Sequence, residues 1–407
     1  MRTDVVVIGA GQAGLAASRC LVDHSIGHVV LERGQVANSW RTERWDSLRL
    51  LTPNWLSRLP GWSYEGADPD GFMSKHQFVE HLDRYRHSFN APVRSETEVE
   101  SVRSHSGGYR VRTSQGEVDA RAVVIASGAN GQPRIPGIAD EMPSSIRQLP
   151  SMHYRNVGQI EDGGVLVVGA SASGAQIADE LARAGRDVTM AVGSHTRIPR
   201  RYRGQDTFTW LESSGILDDL WVDEPDIAKA RRVPSLQLVG TDKGRDLDLN
   251  ALASVGVRLV GRLVGLSGTQ LQFSGSLANT IASADQKMHR LLTRIDRTAD
   301  QLGIGATEDR PPSTLLPEPC LGIGLAAFAT IIWATGFRPN YPWLEPHLLD
   351  RRGAIVHEGG AMLDPGLFVL GLPFLRRRKS GFIEGAGCDA TDLMQPLLAH
   401  LDTVHAS

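Results

Sequence analysis

Asp4-Val5-Val6-Val7-Ile8-Gly9-Ala10-Gly11-Gln12-Ala13-Gly14 is the stretch that decides the fold. An apolar run at 5–8 passes straight into Gly-x-Gly-x-x-Gly, a helical pattern follows at 15–22, and a second apolar run, His28-Val29-Val30-Leu31, ends at Glu32. Strand, tight turn, helix, strand, acid is the order of a dinucleotide-binding βαβ unit. Gly9 permits the sharp turn, Gly11 lets the backbone approach a pyrophosphate, and Gly14 lets helix and strand pack closely. The pyrophosphate sits at the helix N-terminus, where free N–H groups and the helix dipole favour negative charge. Glu32, followed by Arg33, stands close to the ~20-residue spacing of a ribose-binding acid. A carboxylate suits a free ribose hydroxyl and repels a 2′-phosphate, so FAD or NAD fits this unit better than NADP.

A second unit opens at Gly164. Val165-Leu166-Val167-Val168 reads as a strand and Gly169-Ala170-Ser171-Ala172-Ser173-Gly174 as its turn, with Ser171 in the middle glycine position. A helix at 175–184 stops at Gly185, and another strand follows at 188–192. No acid ends that strand. Ser194, His195, Thr196, Arg197, Arg200, Arg201 and Arg203 come instead. Cationic and hydroxyl groups there suit the 2′-phosphate of NADP. Gly169, Ser171, Ser173 and Gly174 are therefore expected to hold NADPH, with Arg197 and Arg201 at its phosphate. A chain that holds one FAD-like and one NADPH-like ligand is expected to pass hydride between them.

The totals fit this reading. At 407 residues, 41% hydrophobic and 22% charged, the chain has room for two or three domains and a large core. A net charge of −3 gives no global attraction to nucleic acid or anionic membrane. Cys20, Cys320 and Cys388 are far apart and form no Cys-x-x-Cys, so neither a dithiol of that type nor a compact cysteine-rich metal site is expected. The apolar start is too short for a signal peptide, and the stretch at 321–334 is too short and glycine-broken to span a bilayer. A cytoplasmic protein is expected, with no membrane partner.

Between the units, Ser39-Trp40-Arg41 and Trp45-Asp46-Ser47-Leu48 sit close behind the first nucleotide site, and flat side chains there are expected to wall a conjugated ring. Thr52 and Asn54 follow and are candidates to face that ring. The span 53–71 reads as a loop, 74–89 as an amphipathic helix with Phe78, Leu82 and Tyr85 on one face, and 93–118 as short antiparallel strands turning at 106–108. The run 122–128 is a buried strand ending in small residues, with Ala126 passing close to a nucleotide. The run 330–337 repeats that plan with Ala334, Thr335 and Gly336, and is expected to return the chain to the first domain. The pattern at 276–302 is a long amphipathic packing helix, 303–319 a linker, and 389–401 a final helix. The run Arg376-Arg377-Arg378-Lys379 reads as a solvated loop.

Together these residues resemble the class B flavin-dependent monooxygenases, nearest to short bacterial relatives of the plant YUCCA enzymes. The resemblance covers nearly the whole chain. It rests on the two glycine turns, Glu32, the tryptophan blocks, Pro199-Arg200-Arg201-Tyr202-Arg203-Gly204, Ala334-Thr335-Gly336-Phe337 and Gly371-Leu372-Pro373. It implies an α/β fold of two Rossmann-like domains, with an NADPH domain (155–325) inserted into an FAD domain split as 1–154 and 326–407. It implies FAD and NADPH as cofactors, no catalytic metal, and a small organic substrate oxygenated by O2 through a C4a-(hydro)peroxyflavin. Two departures stand out. Pro150 occupies the place of a motif histidine at the domain crossing, with His153 adjacent and out of register, and Ser194 stands where related chains often carry arginine. An NADPH oxidase releasing peroxide, a Baeyer–Villiger enzyme and a redox-sensing flavoprotein are the alternatives. The sequence allows a homodimer and does not name the substrate.

Overall fold

The computed structural model describes residues 1–105, 107–241, 244–305 and 310–405. Ser106 of the expected turn and positions 306–309 of the expected linker lie outside them. The first part of the chain gives β1 (Arg2–Ile8), α1 (Gln12–Asp23), β2 (His28–Leu31), α2 (Lys75–Ser88), β3 (Val93–Arg94), β4 (Val99–His105), β5 (Gly108–Thr113) and β6 (Gly116–Ile125). The middle gives β7 (Gln132–Pro133), β8 (Arg147–Pro150), β9 (Gly164–Val168), α3 (Ala172–Arg183), β10 (Val188–Ala191), β11 (Arg258–Val260), β12 (Leu263–Ser267), β13 (Gln270–Phe273), α4 (Leu277–Gln301), β14 (Gly322–Gly324) and β15 (Phe328–Trp333). The chain ends through β16 (Phe337–Arg338), β17 (His357–Glu358), β18 (Ala361–Met362), β19 (Leu367–Val369) and α5 (Ile383–His405).

The first sheet runs β17-β18-β19-β6-β1-β2-β3, with the β4–β5 hairpin joined to β6. Its centre is parallel: Val5 to Ile8 pair with His28 to Leu31 on one side and with Ala122 to Ile125 on the other. Helices cover both faces of such a sheet, so β1 reads as an unbroken apolar run and its valines are fully buried. Strand β6 is long because it serves two partners, antiparallel to β5 in its first half and parallel to β1 in its second. Helix α2 starts in a capping box between Ser74 and Gln77 and buries Phe78, Leu82 and Tyr85.

The second sheet is parallel, in the order β11-β10-β9-β15-β8. This corrects the expected domain limits. Strand β8 lies before position 155 and β15 after position 325, yet both belong to the second sheet, where Thr330 to Trp333 pair with Arg147 to Pro150. The run at 330–337 therefore completes the second unit rather than returning to the first. The outward and return crossings are β7 and β16, paired antiparallel with Phe337 opposite Pro133. Apolar strands of both units carry the same pattern, so only pairing partners distinguish them.

Helix α4 buries Ile281, Ala284, Met288, Leu292, Ile295 and Ala299, a helical stripe interrupted by the buried Asp285. The basic run at 376–379 is also corrected. It is a clasp between the domains: Arg378 pairs with Asp219 (3.1 Å), Lys379 with Asp218 (3.0 Å), and Leu220 bridges Arg377. No helix among the described residues is long and apolar enough to cross a membrane.

One buried base makes stability depend on pH. The His81 ring stacks on Phe78 and leans on Trp62, its Nε2 has no partner, and burial lowers its pKa to about 4. The unfolded chain binds this proton near pH 6.5, the folded chain only near 4. Stability is thus complete above about 6.5 and falls as pH drops toward 4, by up to ~3 kcal/mol. The denaturant midpoint is expected to fall between pH 7.5 and 5, and less so in His81→Leu; equal slopes would refute the assignment.

Candidate functional site

The two glycine turns share one geometry. Gly9 has φ +105° and Gly169 φ +114°; a Cβ would lie 2.5 Å from Ala126 O in the first and 2.3 Å from Ala334 O in the second. A Cβ at Gly14 would lie 1.8 Å from Gly9 O, and one at Gly174 2.0 Å from Gly169 O. Each turn is thus pressed between its own helix and the end of a neighbouring strand. Gly128 and Gly336 close those strand ends at φ +86° and +84°. Ala126 and Ala334, with Thr335, are thereby placed beside the two cradles; the Thr335 hydroxyl donates to Arg134 O.

The cradles are open where a phosphate would lie. A Cβ at Gly11 meets nothing within 4 Å, and no side chain caps α1. Ser171 occupies the N-cap of α3, yet its hydroxyl caps nothing. Uncapped helix N-termini behind close-packed glycine turns fit dinucleotide pyrophosphates. Ser173 lies half-buried in the first turn of α3.

Glu32 ends β2 with its carboxylate accepting from Ala10 N (2.8 Å) and Gly34 N (3.1 Å). It braces the glycine turn through Ala10 N. Glu32→Ala leaves a buried N–H unpaired at a cost of about 1–3 kcal/mol. A tenfold or greater loss of FAD affinity is expected by titration of the apoprotein, with Glu32→Gln milder; unchanged affinity in both would remove Glu32 from the site.

The tryptophan block divides its roles. Trp40 is half-buried, edge-on to Phe78 at 4.7 Å, and packs against the cores of both domains. Trp45 and Leu48 join the core of the second domain and so hold the domains together. Arg33 pairs with Glu43 (2.6 Å), and Arg41 with Asp83 and Val36 O. Thr52 is buried at the mouth of the 53–71 loop. Asn54 is engaged in that loop: its Nδ2 donates to Asp68 O (2.9 Å) and its Oδ1 accepts from Met73 N (2.7 Å). This amide clamps the loop.

The arginines after β10 divide as well. Arg197 does not face a ligand: it is buried between Asp248 (2.8 Å) and Asp285 (2.7 Å). Arg201 is exposed and donates to Gly204 O. Arg200 is fully buried and crosses to the first domain, donating to Leu51 O (2.7 Å) and lying over the Phe72 ring at 4.3 Å.

Sequence reasoning missed Gln237 and Gln176. Gln237 Nε2 donates to Ala170 O inside the second glycine turn (2.6 Å), and Gln176 Nε2 to Leu238 O (2.7 Å). They pin the 236–238 segment to the cradle. No local motif marks position 237, because only the folded turn supplies its partner.

Two parallel sheets, each with a close-packed glycine turn, define a two-dinucleotide oxidoreductase. The family model for pyridine nucleotide-disulphide oxidoreductases matches residues 6–211. An uncharacterized CzcO-like oxidoreductase of Geobacillus kaustophilus is 31% identical over 401 residues, 98% of this chain and 99% of that protein. The indole-3-pyruvate monooxygenase YUCCA6 of Arabidopsis thaliana is 28% identical over 412 residues, 97% of this chain and 90% of that one. In fold, the chain resembles a flavin-containing monooxygenase of Stenotrophomonas maltophilia, with TM-score 0.68, 22% identity and coverage of 98% and 99%. The chain belongs to the pyridine nucleotide-disulphide oxidoreductase family. It is an oxidoreductase, and this membership implies FAD and NADPH as its cofactors.

Proposed function

We propose that the protein is an FAD- and NADPH-dependent monooxygenase that inserts one atom of O2 into a small organic substrate at nitrogen, sulfur or carbon. The observation that carries this reading is the pairing of two dinucleotide cradles with the lack of a dithiol. Cys20, Cys320 and Cys388 are all free: Cys20 is on α1, Cys388 on α5, and Cys320 lies between α4 and β14. A disulfide reductase of the Cys-x-x-Cys type takes electrons onward through that dithiol, and this sequence carries no such motif, so oxygen is the acceptor that fits. Bound FAD would accept hydride from NADPH and activate oxygen.

The chain's own part is binding, orientation and exclusion of water. Gly11 and the α1 N-terminus hold the FAD pyrophosphate, with Glu32 at its ribose. Gly169, Ser171, Ser173 and Gly174 hold the NADPH pyrophosphate. Asn54 keeps the 53–71 loop closed, and a Cβ at Gly240 would lie 2.3 Å from Leu50 O, so the second domain seals that loop from above. Thr52 is left as the side chain to face the flavin ring. The same reading places the enzyme in the cytoplasm, where its free cysteines stay reduced.

A second reading, an oxidase that releases hydrogen peroxide, draws on one observation. Pro150 ends β8 opposite Trp333 and His153 is exposed, so neither position supplies a buried imidazole at this edge of the second sheet. The deciding experiment measures O2 uptake and peroxide per NADPH for the holoprotein with amines, thioethers, ketones and 2-oxo acids. The monooxygenase reading expects at least one class to suppress peroxide and to gain label from isotopic O2. Full peroxide yield with every class would overturn it in favour of the oxidase.

A further inference from the structure

The basic run after β10 does not present its charge to a ligand. Arg197 is held by Asp248, Asp285 and Pro312 O, Arg200 by Asp206, and Arg203 by Asp300 (3.1 Å). Asp246 adds a fifth carboxylate, accepting from Arg200 N (2.6 Å). Around the guanidinium groups of Arg197 and Arg200, the carboxylates of Asp206, Asp246, Asp248 and Asp285 are thus in surplus. Next in line, the His195 ring is buried, and its Nδ1 lies 3.0 Å from Gly193 O. A carbonyl only accepts, so Nδ1 carries the proton and Nε2 a lone pair. Burial lowers the ring's pKa, so it brings no positive charge at neutral pH. Just beyond β10, Ser194 is exposed, and a Cβ at Gly193 would enter open space. Of the run's arginines at 197, 200, 201 and 203, Arg201 alone is exposed, and its Nη2 donates to Gly204 O.

We propose that the pyridine-nucleotide site does not select for the 2′-phosphate, and that NADH serves as hydride donor on a par with NADPH. This rests on the reading of the second unit as the site that feeds the flavin. Recognition of a 2′-phosphate dianion needs guanidinium groups free to form charge-assisted, forked hydrogen bonds at the end of the second strand. Here those groups neutralise carboxylates inside the domain, and the strand end offers a glycine and a serine. A ribose hydroxyl meets no penalty there, and a phosphate gains no partner that outweighs the surrounding acids.

The test is anaerobic stopped-flow reduction of the bound flavin by NADH and by NADPH, in wild type, Arg201→Ala and Gly193→Arg. Efficiencies within about tenfold of each other are expected in wild type, a difference near 1.4 kcal/mol or less. Gly193 has no left-handed φ, so arginine fits its backbone, and Gly193→Arg is expected to move the ratio toward NADPH by about tenfold. A wild-type preference for NADPH above about a hundredfold would overturn the proposal. So would a loss of NADPH use alone in Arg201→Ala. Failure of both nucleotides to reduce the flavin would instead sink the hydride-transfer reading. Selectivity is then read from ligand binding: equal Kd values for 2′,5′-ADP and 5′-AMP uphold it, and much tighter 2′,5′-ADP overturns it.

Discussion

Gly14→Ala is expected to yield protein that no longer holds FAD. The new methyl would sit 1.8 Å from Gly9 O and 3.0 Å from Gly9 C, backbone that no rotamer can clear, so α1 must move off β1. Overpacking of this kind costs about 3 kcal/mol or more and tilts the helix N-terminus away from the pyrophosphate. A loss of FAD affinity of at least about a hundredfold should appear in flavin absorbance of the purified protein and in titration of the apoprotein. The sister substitution separates the two cradles. Gly174→Ala places a methyl 2.0 Å from Gly169 O and is expected to leave the protein yellow while slowing flavin reduction tenfold or more. Gly11→Ala is the control, because its methyl enters open space. Apoprotein stability should be unchanged, and only FAD binding weakened. Full, tight FAD content in Gly14→Ala would remove the first turn from the cofactor site.

Arg200→Ala is expected to produce the largest loss of stability among single polar substitutions at the domain junction. The guanidinium is fully buried, pairs with Asp206 at 2.6 Å, donates to Leu51 O and covers the Phe72 ring. Its removal leaves the Asp206 carboxylate without its cation and a carbonyl without its donor, a loss of about 3–5 kcal/mol. The denaturant midpoint should fall accordingly. Flavin reduction should slow as well, because the residue joins the strand-end region of the second domain to the loop beside Thr52. Arg200→Lys keeps the charge but not the fork and should recover only part of the loss. A midpoint unchanged in Arg200→Ala would refute the latch.

The glycine turns, their strands and Glu32 were legible because each depends on residues adjacent in sequence. The spacing of Gly9, Gly11 and Gly14 follows from backbone contacts within one βαβ unit, and the same logic found Gly169 and Gly174. The domain limits were not legible in the same way. Strands β6 and β15 both end in small residues beside a glycine turn, and hydrogen-bonding partners alone assign β15 and β8 to the second sheet.

Charge was the least legible property. Arg197, Arg201 and the run 376–379 look alike in sequence as basic segments. Folding places Asp248 and Asp285 on Arg197, and Asp218 and Asp219 on Lys379 and Arg378, while Arg201 stays at the surface. Those carboxylates come from segments far along the chain. The sequence by itself determined the two close-packed glycine turns, because steric crowding around glycine is local. Only the tertiary structure decided which arginines are paired inside the protein and which stay at the surface, because an ion pair depends on distance in space.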